Sequence, residues 1–267
     1  MAMECSLPRQ PLPRAKKHLG QHFLVDAHYI NRIVAAIRPE PGKTMVEIGP
    51  GPGALTRPLL DALKKLHVVE FDRDMVERLA DEFPGGELVI HQADALTFDF
   101  AQLGTGLRVV GNLPYNISSP LLFHLAEFAT AICDMTFMLQ KEVVDRMAAA
   151  PDTADYGRLS VMLQARFAVT RLFVVPPGAF QPPPKVDSAI VRLVPLPVEK
   201  VVYRDHKVFA DVVSRAFGQR RKTLRNTLKG VVSEADFYVL GIDPTRRGET
   251  LSVAEFAALA NYRKHAG

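Results

Sequence analysis

Residues 44–63 constrain this chain more than any other stretch. Thr44-Met45-Val46-Glu47-Ile48 is an apolar run of strand length, Gly49-Pro50-Gly51-Pro52-Gly53 is a turn, and Ala54 to Leu63 carries helical spacing. A strand that ends in glycines and opens a helix points backbone N–H groups outward, which makes a cradle for a nucleotide or dinucleotide. The alternation continues with a strand over 67–71, a helix over 73–83, strands over 87–91 and 107–111, a helix over 118–129, a strand over 134–139 and a helix over 141–149. Repeated βα units predict a mostly parallel, doubly wound α/β sheet. Such sheets bind ligands beyond the carboxyl ends of their strands, so the residues at those ends carry the chemistry.

The second strand ends at Glu70, 21 positions after Gly49, a spacing that suits a carboxylate accepting from ribose hydroxyls. Asp94, within Ala93-Asp94-Ala95, ends the third strand and has a place against an adenine amine. Glu47 either reaches the ligand or pairs with a backbone amide, in a supporting role, and Asp72 and Asp74 read as a helix cap and a first-turn charge. The glycine turn alone leaves two cofactors open. Gly49-x-Gly51-x-x-Ala54 satisfies the relaxed dinucleotide fingerprint of a hydride-transfer enzyme. The two prolines in the turn and the second carboxylate at Asp94 point instead to an adenosine ligand with no pyrophosphate, S-adenosylmethionine.

The fourth strand end decides between them. Gly111-Asn112-Leu113-Pro114-Tyr115-Asn116 follows the apolar run Leu107 to Val110. Its composition answers one chemical problem, the methylation of an exocyclic amine on a nucleobase, whose lone pair is delocalised into the ring. The Asn112 amide oxygen and the Leu113 backbone carbonyl can each accept one N–H and turn that lone pair out of the ring plane. Pro114 fixes φ and keeps the two acceptors in register. Tyr115 offers a flat face on which an unpaired base can stack. The bland alternative is an ordinary turn with a buried tyrosine. His28, His67, His91, His124, His206 and His265 are scattered and read as structural. His18 and His22 stand four apart, but no further ligand completes a metal site. A methylated amine is acidic enough to lose its proton to water or a nearby carbonyl, so no dedicated general base is needed.

Before the glycine turn, residues 1–15 read as a loose leader and Lys16 to Leu24 as a basic segment lying over a surface. A helix follows over 26–38, capped by Asp26 and stopped by Pro39 and Pro41. No run is fit for a signal peptide or a membrane span, and Cys5 and Cys133 have no metal-type spacing and read as free thiols. Soluble, cytoplasmic and monomeric is the expectation. Beyond residue 150 come a polar loop, a helix over 158–166, a strand over 168–175 and the stiff loop Pro176 to Val186. Ser188 to Val194 is expected to close the sheet. Phe180 in that loop is either a core plug or a second stacking face that sandwiches the base against Tyr115, and Lys185 would face phosphate.

Pro195 and Pro197 mark a linker to a helical unit, with short helices over 233–240 and 252–264. The net charge is only +4, but residues 200–230 hold nine Lys/Arg against two acids, which favours phosphate contact by a basic helix near 215–229. The expected division is a basic segment and cofactor lid over 1–25, a catalytic domain over 26–197 and a helical nucleic-acid-binding domain over 198–267.

Taken together, the chain resembles the ribosomal RNA adenine dimethyltransferases of the kasugamycin-sensitivity type. The resemblance runs from about Lys17 to the carboxyl end. It rests on Leu19-Gly20-Gln21-His22-Phe23-Leu24, Glu47-Ile48-Gly49-Pro50-Gly51, Glu70, Asp94, Asn112-Leu113-Pro114-Tyr115, Phe180-x-Pro182-Pro183-Pro184-Lys185-Val186 and Arg220-Arg221-Lys222-Thr223-Leu224. It implies a class I methyltransferase fold with a small all-α carboxyl-terminal domain. It also implies S-adenosylmethionine bound at His22, Leu24, Gly49, Gly51, Glu70, Asp94 and Asn112, with His22 standing where many members carry Asn. The implied catalytic positions are Asn112, Leu113, Pro114, Tyr115 and Phe180, and the implied RNA contacts are Lys16, Lys17, Lys185, Arg220, Arg221, Lys222 and Arg225. The implied reaction is the transfer of two methyl groups to each of two adjacent adenosines in a hairpin near the 3′ end of small-subunit rRNA, within a pre-assembled small ribosomal subunit. The erythromycin-type resistance methylases share the fold and act on large-subunit RNA. They usually read Asn-Ile-Pro-Tyr and lack the Pro-Pro-Pro-Lys-Val run. A non-catalytic RNA- or DNA-binding relative is the alternative from another class.

Overall fold

A computed structural model describes residues 11–16, 20–115, 117–219 and 221–262. Seven strands form the main sheet: β2 (Met45–Ile48), β3 (Leu66–Glu70), β4 (Leu88–Gln92), β5 (Leu107–Asn112), β6 (Ile132–Gln140), β7 (Phe167–Val175) and β9 (Ser188–Pro195). A two-stranded ribbon pairs β1 (Phe23–Leu24) with β8 (Phe180–Gln181).

The strand order is β4-β3-β2-β5-β6-β9-β7. The chain starts at β2, steps outward through β3 to β4, then returns to lay β5 on the other side of β2, all in parallel. The direction of winding therefore reverses between β2 and β5. That reversal opens a crevice at the strand ends, where ligands of doubly wound sheets sit. Gly111 permits the crevice: a Cβ there would lie 2.5 Å from the Ile48 carbonyl oxygen, so any side chain would push β5 off β2.

The expectation that Ser188 to Val194 closes the sheet is corrected. β9 runs antiparallel to β6 and lies between β6 and β7, leaving β7 at the edge. Burial gives the reason. Ala189, Ile190, Val191 and Leu193 have no exposed surface, whereas β7 exposes Thr170, Arg171 and Leu172, as an edge strand can.

Helices cover the sheet in the alternation expected of the sequence. Helix α1 (Ala27–Ile37) is capped by Asp26, whose carboxylate accepts from the His28 and Tyr29 N–H groups. It ends at Arg38 in the left-handed region just before Pro39. Ile30, Ile33 and Ile37 bury its inner face. Helices α2 (Thr56–Leu63), α3 (Arg73–Glu82), α4 (Ser118–Glu127), α5 (Lys141–Ala148) and α6 (Arg158–Gln164) follow. The inner faces of α1 and α2 share one buried hydrophobic cluster with Leu24, Val175, Phe180 and Ile190. The basic amino-terminal segment is thus more than a surface layer, because Phe23 and Leu24 are buried and hydrogen-bonded as a strand.

Two compact units are distinguished, one formed by residues 1–144 and 170–195, the other by 145–169 and 196–267. The second unit thus takes in a segment that the sequence boundary at 198 assigns to the first. It contains α7 (His206–Gly218), α8 (Leu224–Thr227), α9 (Glu234–Val239) and α10 (Val253–Tyr262) around buried Phe209, Val213, Leu228 and Phe256. The basic stretch near 215–229 is not one helix. α7 stops at Gly218, and Arg221 and Lys222 stand exposed in the turn before α8. Among the described residues, no helix is long and apolar enough to cross a membrane.

Candidate active site

The carboxyl ends of β2, β3 and β5 and the loop after β4 open onto one cavity of about 240 Å³. The glycine turn forms its floor. Gly49 and Gly51 have φ of +63° and +53°, values that side chains on Cβ disfavour, and the Gly49 N–H is anchored on the Val69 carbonyl at 2.9 Å. Glu70 ties this turn to the next helix. Its Oε2 accepts from the Gly51 N–H at 3.3 Å and its Oε1 from the Asp72 N–H at 2.8 Å. Burial raises the Glu70 pKa, and those two backbone donors oppose the rise. A carboxylate has about four acceptor sites, so both oxygens keep capacity for ligand hydroxyls.

Asp94 also lines the cavity, its Oδ1 held by the Leu96 N–H at 2.9 Å. Glu47 is buried below the turn. Its partner is not a backbone amide but the Thr56 hydroxyl, which donates to Oε2 at 2.7 Å. Burial pushes Glu47 up to about 7, with the hydroxyl pulling it down and the nearby Glu70 charge pushing further up.

The amino-terminal segment straps across this cavity. Lys16 Nζ reaches Asp72 Oδ1 at 2.6 Å and Asp74 Oδ2 at 2.7 Å, while Gln21 Nε2 donates to Asp72 Oδ2 at 3.1 Å. Gln21 Oε1 in turn accepts from the Lys16 N–H at 2.8 Å. Desolvation works against ionisation of Asp72, but the hydrogen bonds from Lys16, Gln21 and the Asp74 N–H prevail and hold its carboxyl below the usual range. Asp72 also caps α3 through the Asp74 N–H. Further along, the Phe23 ring lies against Gly51.

Asn112 ends β5 at the cavity. Its Nδ2 donates to the His22 carbonyl at 3.0 Å, which fixes the amide's orientation and leaves Oδ1 as an acceptor. The Leu113 N–H is tied to the Met138 carbonyl at 3.1 Å. The Pro114 carbonyl accepts from Ser118 Oγ and the Ile117 N–H, so it is engaged at the start of α4. The Leu113 carbonyl, one residue earlier, is the candidate second acceptor. Tyr115 is pinned at its far end by a 2.8 Å hydrogen bond between its hydroxyl and Ser188 Oγ, and burial raises its pKa. Its ring stacks on His22, with centroids 5.7 Å apart and planes 26° from parallel. His22 Nδ1 donates to the Pro182 carbonyl at 2.9 Å.

Of the residues singled out in the sequence, His22, Leu24, Gly49, Gly51, Glu70, Asp94, Asn112, Leu113, Pro114 and Tyr115 all line this one cavity. Phe180 does not. It is 4% exposed and packed in the core, so the reading as a second stacking face gives way to that of a core plug. Lys16 is likewise corrected, because its ammonium is spent on Asp72 and Asp74 and not free for phosphate. Arg225 is ion-paired with Glu234 at 2.9 Å. Lys185, Arg221 and Lys222 are exposed. Lys17 and Arg220 lie outside the described residues, as does His18. Gln21, Thr56, Gly111 and Ser188 support the site without having been singled out for it. Only Gln21 and Gly111 carried a sequence signal, as neighbours within the quoted motifs.

A family profile described as ribosomal RNA adenine dimethylase matches residues 13–265. The chain is 63% identical over 249 residues to ribosomal RNA small subunit methyltransferase A of Aromatoleum aromaticum, covering 93% of this chain and 94% of that protein. It is 59% identical over 247 residues to the protein of the same name from Thiobacillus denitrificans, covering 92% and 97%. Among solved structures, a dimethyladenosine transferase from Plasmodium falciparum superposes with a TM-score of 0.78 at 26% identity, over 89% of this chain and 96% of that one. The 23S rRNA methyltransferase ErmE superposes with a TM-score of 0.69 at 26% identity, over 90% and 99%.

Proposed function

This chain belongs to the ribosomal RNA adenine dimethylase family, and from that footing we propose how its cavity dimethylates adenine in small-subunit rRNA. It is an S-adenosylmethionine-dependent methyltransferase with the class I fold. The finer reading is that it methylates the N6 of two adjacent adenosines in the 3′-terminal hairpin, twice each, on a pre-assembled small subunit. The protein acts as a soluble monomer in the cytoplasm.

The cavity suits this donor. Its walls carry Glu47, Glu70 and Asp94, a set that favours a ligand with positive charge and several hydroxyl and amine donors. Glu70 would take the ribose hydroxyls, Asp94 the adenine amine, and the turn at Gly49 and Gly51 the close approach of the chain. His22 and Leu24 would contribute from the strap. When bound, the donor supplies an electrophilic methyl group on a sulfonium.

The chain's own residues then orient the target amine. The single observation that carries this reading is the Asn112 amide, whose nitrogen is held by the His22 carbonyl so that Oδ1 is left to accept. With Oδ1 and the Leu113 carbonyl each taking one N–H, the amine lone pair turns out of the ring plane toward the methyl group. Tyr115, pinned through Ser188, sets the plane of the base. The gain is one of orientation. The proton is lost after methylation to water or a carbonyl, with no titrating base in the path. The exposed Lys185, Arg221 and Lys222 supply phosphate contacts.

The test is transfer of labelled methyl groups to unmodified small subunits, with naked large-subunit RNA alongside. Incorporation approaching four methyls per small subunit is expected. Label confined to large-subunit RNA would place the substrate with the resistance methylases, and binding without any transfer would make the protein a non-catalytic factor.

A further inference from the structure

His22 is held in three ways at once. Its carbonyl accepts from Asn112 Nδ2 at 3.0 Å, its Nδ1 donates to the Pro182 carbonyl at 2.9 Å, and its ring lies over Tyr115 with centroids 5.7 Å apart. A flat base inserted between two rings needs roughly 7 Å between them, twice the contact distance of carbon atoms. His22 and Tyr115 stand closer than that, so the Tyr115 face beside His22 cannot receive a base while both rings stay in place.

The two rings are not held equally. Tyr115 sits on a proline turn at the end of β5, its hydroxyl tied to the buried Ser188. The imidazole is tied at its polar tip to an exposed carbonyl in the proline loop. The ring can also leave without its backbone. Among the described residues, rotation about the side-chain bonds breaks the Pro182 contact and the stack, while the backbone carbonyl, directly before β1, stays bonded to Asn112.

We propose that His22 is the gate of the target-base slot: its imidazole covers the Tyr115 face in the free enzyme and swings off when an adenine enters, while its backbone keeps Asn112 aimed. The proposal rests on the reading of Tyr115 as the stacking platform. It makes His22 a positioning residue with two separable parts, a fixed carbonyl and a movable ring. Uncovering Tyr115 costs one stack for every base alike, so the gate lowers the affinity of all of them and leaves their ranking to the Asn112 oxygen and the Leu113 carbonyl.

The test is base stacking read by fluorescence. The probe is 2-aminopurine at the target position of the rRNA hairpin within small subunits; it is excited to the red of the protein aromatics and lacks the 6-amino group, so it reports stacking on Tyr115 apart from the bonds to Asn112 and Leu113. With each variant saturated with S-adenosylhomocysteine, as its own cofactor titration establishes, quenching reports stacking in the slot. His22→Ala is expected to tighten half-maximal quenching roughly three- to ten-fold, the size of one aromatic stack. His22→Gln, which can still donate to Pro182 but has no ring, is expected to do the same and covers the case in which the alanine variant fails to fold. Unchanged or weaker quenching in a folded variant overturns the gate; weaker quenching would make His22 a wall of the slot. Tyr115→Ala separates the two readings. Loss of quenching in that variant supports the platform, whereas full quenching without Tyr115 overturns the platform and the gate together.

Discussion

The side-chain nitrogen of Asn112 donates to the backbone carbonyl of His22, 90 positions away in sequence, at 3.0 Å. Since a carbonyl only accepts, this bond defines which end of the amide faces the target. It also couples the strap to the turn that holds the reacting amine. Asn112→Asp would set a carboxylate oxygen against that carbonyl. We expect methyl transfer to fall by roughly 100-fold or more, the usual cost of losing one oriented polar group at a reacting centre. Cofactor affinity should fall much less. Parallel measurement of methyl incorporation and cofactor titration checks this, and normal turnover would sink the assigned role.

Gly111→Ala is expected to cost about 1–3 kcal/mol of stability, the range for forcing extra volume into a packed interior. The new Cβ would meet the Ile48 carbonyl oxygen at 2.5 Å, and both atoms belong to strands with little freedom to move. Thermal unfolding measures the cost. A neutral substitution would mean that β2 and β5 separate more easily than their packing suggests.

Glu47 contributes a pH dependence of defined sign. Its folded pKa of about 7 lies above the ordinary 4.5, so between these values the folded protein binds more protons than the unfolded chain. Stability therefore declines as pH rises through that window, by up to about 3 kcal/mol. Glu47→Gln should be more stable than the parent at pH 8, and the difference should shrink toward pH 4.5. Comparing the two proteins by denaturant unfolding cancels the contributions of all other groups. A pH-independent difference would show that Glu47 is ionised throughout.

Lys16→Ala removes both ion pairs that fasten the strap to α3. Faster release of bound cofactor is expected. Asp72 titrates in the opposite sense to Glu47: its folded pKa is lowered below 3.8, so its stabilising contribution is complete above that pH and is lost as pH falls further. Stopped-flow displacement of the cofactor tests the strap, and an unchanged release rate would show that Phe23 and Leu24 suffice to hold it.

Charge reversal at Arg221 and Lys222 should weaken RNA binding and lower its salt dependence by up to about two phosphate contacts. Filter binding over a range of salt concentrations reads both quantities. Affinity that does not change would return these residues to an ordinary solvated turn.

Much of the site was legible because its chemistry is local. Asp26 as a cap, the glycine turn, and Glu70 and Asp94 at strand ends each follow from a few neighbouring residues. What the sequence hid depends on partners far away in the chain. Nothing near Phe180 reveals that Leu24 pairs with it and that Ile30 and Ile190 belong to the same buried cluster. A basic residue at position 16 reads as a phosphate contact until Asp72 and Asp74 are brought beside it. The place of β9 inside the sheet was hidden for the same reason, since strand order is set by which surfaces are buried together and not by order along the chain.

The pairing of β1 with β8 and the His22–Pro182 bond also impose a schedule on synthesis. The bonded residues of that pair are 160 positions apart. At ordinary rates of elongation, roughly ten to thirty seconds separate their emergence from the translating ribosome. During that interval the strap can already reach Asp72 and Asn112 but has no partner strand, so the two-stranded ribbon is completed only once the proline loop has been made.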